Sequence, residues 1–271
     1  MASLVMGGWG LRGYRVAVLT ALAVLLGPSH AIADGERVIT HQEAKSWSPD
    51  AQPARDYALT RAGDVSFSVF DMRGDQREFG GYGRAPMAST FKVMLLVAYL
   101  RRAGDRSLTD YDRSLLEPMI RRSDNETASR IDSMLGRGPI EKLANDAEMK
   151  SFRWADIWGR SKSTPRDQAF FMRTLHQYVP DRHWDYARRL LTSITPSQRW
   201  GIGQVPVRGW HLGFKGGWGS GTGLVNHQVV LLQKDGYRIG LAVFTENSPS
   251  HEYGKDTLEG VFRVLLRDLP R

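Results

Sequence analysis

The chain has 271 residues, a net charge of +8 and no cysteine. This length suits one good core, or two layers that share a cleft. The lack of cysteine excludes disulfides and attachment of a lipid through a thiol. The basic residues are scattered, with no stripe of interleaved aromatic residues, so no nucleic-acid partner is expected.

The N-terminal residues have the pattern of a secretory signal. Arg12 and Arg15 precede an apolar run too short to span a bilayer, and small residues at 31–33 offer a cleavage site. We expect a signal peptide at residues 1–33 and a polar, flexible lead-in at residues 34–53. The mature protein would then be secreted, extracellular or cell-wall associated, with no stable membrane insertion.

The remaining chain predicts strands at both ends and helices between them. Strands are predicted at 65–70, 78–82, 211–215, 224–232 and 237–245. Helices are predicted at 90–104, 110–120, 126–135, 139–146, 165–178, 183–191 and 253–269.

This order indicates an α+β domain at residues 54–271, with an antiparallel sheet of about five strands flanked by terminal helices. The sheet part would comprise residues 54–86 and 205–271, and the helical part residues 87–204. The active site would lie where the two parts meet. We expect a monomer.

Ser89 is the only serine followed by a lysine three residues later, Lys92. On a helix these residues are neighbours on one face, so a buried, neutral lysine amine could accept the proton of the serine hydroxyl. The alternative is a helix in which Ser89 is only the N-cap and Lys92 is solvated.

Two further motifs bear on Ser89. The first, Ser123-Asp124-Asn125, offers a hydroxyl for proton transfer and an amide for holding a substrate, or alternatively only a polar helix cap. The second, Lys215-Gly216-Gly217, follows a predicted strand. It offers a cation for a carboxylate beside an open strand edge, or alternatively only a glycine turn.

The three motifs, in this order, resemble the S-x-x-K, S-D-N and K-T-G set of class A β-lactamases and penicillin-binding proteins. The resemblance implies a β-lactamase/transpeptidase-like fold and an acyl-enzyme mechanism without cofactor or metal. Ser89 would be the nucleophile, Lys92 the proton acceptor and Ser123 the proton relay. Asn125 and Lys215 would hold the substrate, a β-lactam or a peptidoglycan-like peptide.

The resemblance also implies that the main-chain N–H groups of Ser89 and Gly217 form an oxyanion hole. Gly216 departs from the family pattern, which has a hydroxyl residue there. This chain departs further in the loop where the family has an E-x-x-L-N pattern, because Ala155 stands at the position of the deacylating glutamate. The nearest carboxylate is Asp156, which either substitutes for that glutamate or merely caps a turn or pairs with Arg153.

The residues needed for acylation are therefore present, whereas the glutamate that usually catalyses deacylation is missing. The segments 223–226 and 247–254 resemble those of exported, uncharacterised β-lactamase-like hydrolases of actinobacteria. We expect a secreted serine hydrolase that forms an acyl-enzyme at Ser89 and hydrolyses it slowly. The alternatives are a D-alanyl-D-alanine-type peptidase or esterase acylated by β-lactams, and a non-catalytic wall-binding or sensor protein.

Overall fold

The computed structural model describes residues 38–219 and 224–271. The expected signal peptide at residues 1–33 lies outside the described residues. In the ranges that the structure describes, no helix is both long enough and apolar enough to cross a membrane.

The helices are α1 His41–Ser46, α2 Ala51–Leu59, α3 Lys92–Ala103, α4 Asp110–Arg121, α5 Asn125–Leu135, α6 Arg137–Asp146, α7 Pro165–Thr174, α8 Asp181–Thr192 and α9 His251–Leu265. The strands are β1 Asp64–Phe70, β2 Gln76–Phe79, β3 Ala85–Pro86, β4 Lys162–Ser163, β5 His211–Gly219, β6 Val225–Lys234 and β7 Tyr237–Glu246.

Five strands form one antiparallel sheet in the order β2-β1-β7-β6-β5. Strand β1, from the N-terminal β-rich part, pairs with β7, from the C-terminal part, and Phe67 lies opposite Val243. The predicted α+β fold with a five-stranded antiparallel sheet is confirmed. The short strands β3 and β4 pair separately.

The two faces of the sheet pack against different helices, because successive side chains of a strand point to opposite faces. On one face, a β-carbon at Gly240 would lie 2.1 Å from the carbonyl oxygen of Ala169, so glycine lets α7 approach β7 closely. On the other face, α9 packs on β6 and β7, and a β-carbon at Gly254 of α9 would lie 2.1 Å from Nδ2 of Asn226. Although α7 falls within the predicted helical part at 87–204, it packs on the sheet.

The expectation of a flexible lead-in at residues 34–53 is wrong for residues 38–53. Thr40 caps α1 with a reciprocal pair of hydrogen bonds to Glu43. Ile39 and Trp47 are buried in the main core, and the Trp47 indole donates to the carbonyl oxygen of Arg267 at 3.4 Å. Few apolar residues anchor this segment, and they lie among polar ones, so its composition does not show the docking.

Replacing Trp47 with alanine tests this anchoring. We expect Trp47→Ala to lower the free energy of unfolding by about 3–5 kcal/mol, because a buried tryptophan leaves a large cavity. The measurement is urea unfolding followed by circular dichroism. The control is Leu59→Ala, because Leu59 is exposed and should change stability by about 0.5 kcal/mol or less. Equal stability of the two variants would contradict the docked position.

Candidate active site

Ser89 lies in a 3₁₀ turn, Ala88–Phe91, that runs directly into α3. The first turn of the predicted helix is therefore a 3₁₀ turn, which is wound more tightly than an α-helix. Ala88 has a φ of 46°, in the left-handed region that non-glycine residues seldom adopt. Ser89 itself is 8% exposed. Backbone strain of this kind occurs preferentially at functional sites.

Lys92 is the first residue of α3, and its side chain is fully buried. Its Nζ donates to three oxygens: the Ser123 carbonyl at 2.6 Å, Ser123 Oγ at 3.2 Å and Asn125 Oδ1 at 2.7 Å. Among the hydrogen bonds of the described residues, none joins this amine to Ser89. The amine is thus fixed inside the protein, one helical turn from the Ser89 position.

Burial lowers the pKa of Lys92 to about 7, and the charge of Asp124 opposes this shift only in part. The amine therefore loses its proton close to neutral pH. A neutral amine has one lone pair and two N–H groups, so it can accept a hydrogen bond from one neighbour. The hydroxyl of Ser123 is able to donate that bond.

Ser123 lies between α4 and α5 with a φ of 62°, again in the left-handed region. The next residue, Asp124, is the N-cap of α5, and its carboxylate accepts the N–H of Thr127 at 2.8 Å. Asn125 is exposed, and its Oδ1 accepts from Lys92, while no hydrogen bond within residues 38–219 and 224–271 uses its amide N–H groups. In the Ser-Asp-Asn motif, the middle residue caps a helix and the outer two face Lys92.

Lys215 lies in the middle of β5 rather than at the end of a strand. Its amine is buried and donates to Ser123 Oγ at 2.9 Å and to the carbonyl oxygen of Gly216 at 2.7 Å. Burial, and then the charge of Lys92, hold the pKa of Lys215 well below its ordinary value. The Ser123 hydroxyl therefore lies between two buried amines.

The two glycines after Lys215 are required by close contacts on opposite faces of β5. A β-carbon at Gly217 would lie 2.8 Å from the backbone nitrogens of both Ser89 and Thr90. A β-carbon at Gly216 would lie 2.6 Å from the indole of Trp200. Gly217 thus lets β5 approach the turn that carries Ser89. Trp200 occupies the space that a side chain at position 216 would need.

The loop before α7 places an aromatic ring over the Lys92 amine. The Trp158 ring centroid lies 5.1 Å from Lys92 Nζ and 6.3 Å from the ring of Phe91. Its indole N–H donates to Ser129 Oγ at 3.1 Å. Trp158 therefore shields the amine on the side of this loop.

Asp156 is exposed. Its charge interacts with that of Arg137. The pKa of Arg137 is raised mainly by the hydrogen bond to Glu141 and to a smaller extent by the charge of Asp156. No hydrogen bond in the described ranges joins Asp156 to Ser89 or Lys92, and no ion pair there joins it to Arg153. The structure thus does not place this carboxylate with the other predicted site residues.

The predicted residues that the structure brings together are Ser89, Lys92, Ser123, Asn125, Lys215, Gly216 and Gly217. The sequence interpretation missed the aromatic residues around them: Trp158, Trp200, Trp218 and His251. Of these, only Trp218 carried a usable signal, because it directly follows Gly217. The others come from segments distant in the sequence.

Comparisons with known proteins agree with this architecture. No family model and no curated protein matches the chain. Among solved structures, the β-lactamase of Sphaerobacter thermophilus superposes with a TM-score of 0.72 at 21% identity, covering 82% of this chain and 98% of that chain. The chain has the fold of the class A β-lactamases.

Two further solved structures support the same assignment of fold. A β-lactamase from Xanthomonas campestris has a TM-score of 0.70 at 17% identity, covering 82% of this chain and 99% of that chain. An ancestral class A β-lactamase has a TM-score of 0.69 at 20% identity, covering 80% of this chain and 99% of that chain. At these identities the likeness establishes the fold alone.

The titration of Lys92 is directly measurable. In protein labelled with ¹³C at the lysine ε-carbons, we expect one resonance to titrate with a midpoint near pH 7, because burial disfavours the charged amine. Loss of that resonance in Lys92→Met assigns it. A midpoint above pH 9 for the assigned resonance would show that the amine is charged at neutral pH.

Proposed function

We propose that this protein is a serine hydrolase that forms an acyl-enzyme at Ser89 with a β-lactam or a related amide. One observation carries the proposal: the buried Lys92 amine, with a pKa lowered to about 7, bonds to Ser123 one turn from Ser89. A hydroxyl is a poor nucleophile unless a neighbouring base takes its proton, and this amine has that capacity.

In the proposed acylation, Ser89 Oγ attacks the carbonyl carbon and its proton passes to the neutral Lys92 amine. When the C–N bond breaks, the hydroxyl of Ser123 gives its proton to the departing nitrogen and is reprotonated by Lys92. The N–H groups of Ser89 and Gly217 would stabilise the developing oxyanion, and one such donor typically contributes about a hundred- to a thousand-fold in rate. Asn125 would hold the amide of the substrate.

Slow release of the acyl group is the second part of the proposal. Ala155 supplies no base at the position where the family has glutamate, and Asp156 is exposed. The Trp158 ring of this loop covers the Lys92 amine, with its centroid 5.1 Å from Nζ. Activation of water beside the ester therefore lacks the carboxylate base that the family has in this loop.

The same observations favour a second candidate, a D-alanyl-D-alanine-type peptidase or esterase that β-lactams acylate as a trap. Such an enzyme needs the buried Lys92 and Ser123 but not a glutamate in the loop. A non-catalytic wall-binding or sensor protein is the third candidate, supported only by Ala155 and Gly216. For all three we propose export through the segment at residues 1–33, cell-wall association or secretion, and a monomeric protein.

Labelling with a fluorescent penicillin, beside turnover of a chromogenic cephalosporin, separates these candidates. We expect stoichiometric label at Ser89 and slow, steady cephalosporin hydrolysis, both lost in Ser89→Ala. A burst with persistent label and no turnover indicates the peptidase or esterase. Absence of label that depends on Ser89 would contradict acylation altogether.

Deacylation should respond to a restored base. We expect Ala155→Glu to speed release of the penicilloyl group by about tenfold, since a well-placed general base contributes at least a hundred-fold and an imperfect position forfeits part of it. Release is measured by the loss of label from isolated acyl-enzyme. Ala155→Gln is the control of equal size without a base.

The exposed Asp156 should have no part in this step. We expect Asp156→Ala to leave the release rate unchanged within about twofold, because no contact in the described residues joins it to the acylation site. Slower release in this variant would show that Asp156 substitutes for the missing glutamate.

A further inference from the structure

Three rings form an aromatic cluster beside the Ser89 site: Trp200, Trp218 and His251. The centroid of Trp200 lies 6.0 Å from that of Trp218 and 5.8 Å from that of His251. The centroids of Trp218 and His251 are 5.5 Å apart. The cluster comes from three separate segments, so the fold assembles it.

The cluster lies along β5, the edge strand of the sheet. Trp218 and Gly216 are two residues apart on β5 and share one face, whereas Lys215 and Gly217 point to the other. The Trp200 indole fills the space over Gly216, and Trp218 is 39% exposed. A substrate bound along this edge, with its carbonyl at Ser89, would meet the cluster next to Gly216.

The position of His251 is fixed by its surroundings. It is the first residue of α9, and its Nδ1 bonds to Oδ1 of Asn226. Gly254 lets α9 approach, because a β-carbon there would lie 2.1 Å from Nδ2 of Asn226. Burial lowers the pKa of His251, so the ring is neutral at neutral pH. The third ring of the cluster therefore brings no positive charge.

Three cations of the described residues lie near the cluster, and each already contacts another group. The Lys215 amine is buried on the opposite face of β5 and bonds to Ser123 and Gly216. Lys255 pairs with Glu252 at 2.6 Å. The guanidinium of Arg199 lies over the ring of Phe214, 5.5 Å from its centroid and two residues before Gly216.

We propose that the aromatic cluster is a subsite for an uncharged apolar or aromatic group of the substrate, in the place where a carboxylate would otherwise bind. The proposal rests on the proposed acylation of Ser89 and names its substrate class. An indole face is negatively polarised and repels a carboxylate, and desolvating an unpaired anion is costly. An apolar group instead gains by covering exposed ring surface.

The preferred substrates are therefore uncharged amides or esters that carry an apolar group beside the scissile bond. This differs from the role that the resemblance implies for Lys215, which is to attract a carboxylate. In the structure that lysine donates to the Ser123 hydroxyl and to the carbonyl oxygen of Gly216, and burial lowers its pKa, which weakens its attraction for a carboxylate. Position 216 has no room for a hydroxyl side chain while Trp200 remains in place.

A matched pair of substrates tests the proposal: benzylpenicillin and its methyl ester, which share the reacting ring and differ in one charge. The rate of acyl-enzyme formation is measured by intact-protein mass spectrometry. We expect the methyl ester to acylate Ser89 at least about tenfold faster than the free acid. Trp218→Ala should reduce the rate with the ester several-fold and shift the ratio of the ester rate to the acid rate toward the acid.

A double variant tests the role of the Trp200 ring. In Trp200→Ala/Gly216→Thr the hydroxyl has room, and we expect the preference to move toward the free acid. Trp184→Ala, in a partly buried tryptophan of α8, is the control for the loss of an indole elsewhere. Thermal melting followed by circular dichroism shows whether each variant is folded. If the double variant does not fold, Trp218→Ala alone still tests the subsite.

The opposite preference would overturn the proposal. If the free acid reacts faster and loses its advantage in Arg199→Gln, the subsite binds a carboxylate through Arg199. That result would leave the acylation of Ser89 intact. If neither compound acylates Ser89, the proposed function fails, and the subsite proposal fails with it.

Discussion

The hydroxyl of Ser123 lies between the amines of Lys92 and Lys215, and the architecture around it serves to hold these three groups together. Two ammonium ions so close, with no carboxylate bonded to either in the described ranges, repel each other strongly in a buried setting. Deprotonation relieves this repulsion. Because burial lowers the pKa of Lys92, a neutral amine that can accept a proton is present at neutral pH. Keeping two amines buried costs some stability.

Each of the three groups comes from a different part of the chain. Lys92 is carried by α3, Ser123 by the left-handed link between α4 and α5, and Lys215 by the edge strand of the sheet. Gly217 is the point where strand and turn are in contact, because any side chain there would separate β5 from Ser89. The site is therefore a property of the interface between helices and sheet, and no single segment contains it.

Local spacing was sufficient to predict part of this arrangement. Ser89 and Lys92 are neighbours on one helical turn, and the alternating apolar residues predicted both halves of the sheet. The sequence did not show that Trp200 lies over Gly216, or that Trp47 docks residues 38–53, because these contacts join segments far apart in the chain. The sequence suggests Asp156 only because it follows Ala155, and the fold leaves this carboxylate exposed.

The pairing of β1 with β7 carries a consequence for the order of folding. Asp64 lies opposite Glu246 in this ladder, so the centre of the sheet joins residues separated by nearly the whole domain. Contacts of such long range incur a large loop-closure entropy and slow the folding of a chain. While the chain is being synthesised, β1 has no partner strand in the described sheet except the short β2 until β7 emerges. The central ladder of the sheet therefore closes only after the C-terminal strand has been synthesised.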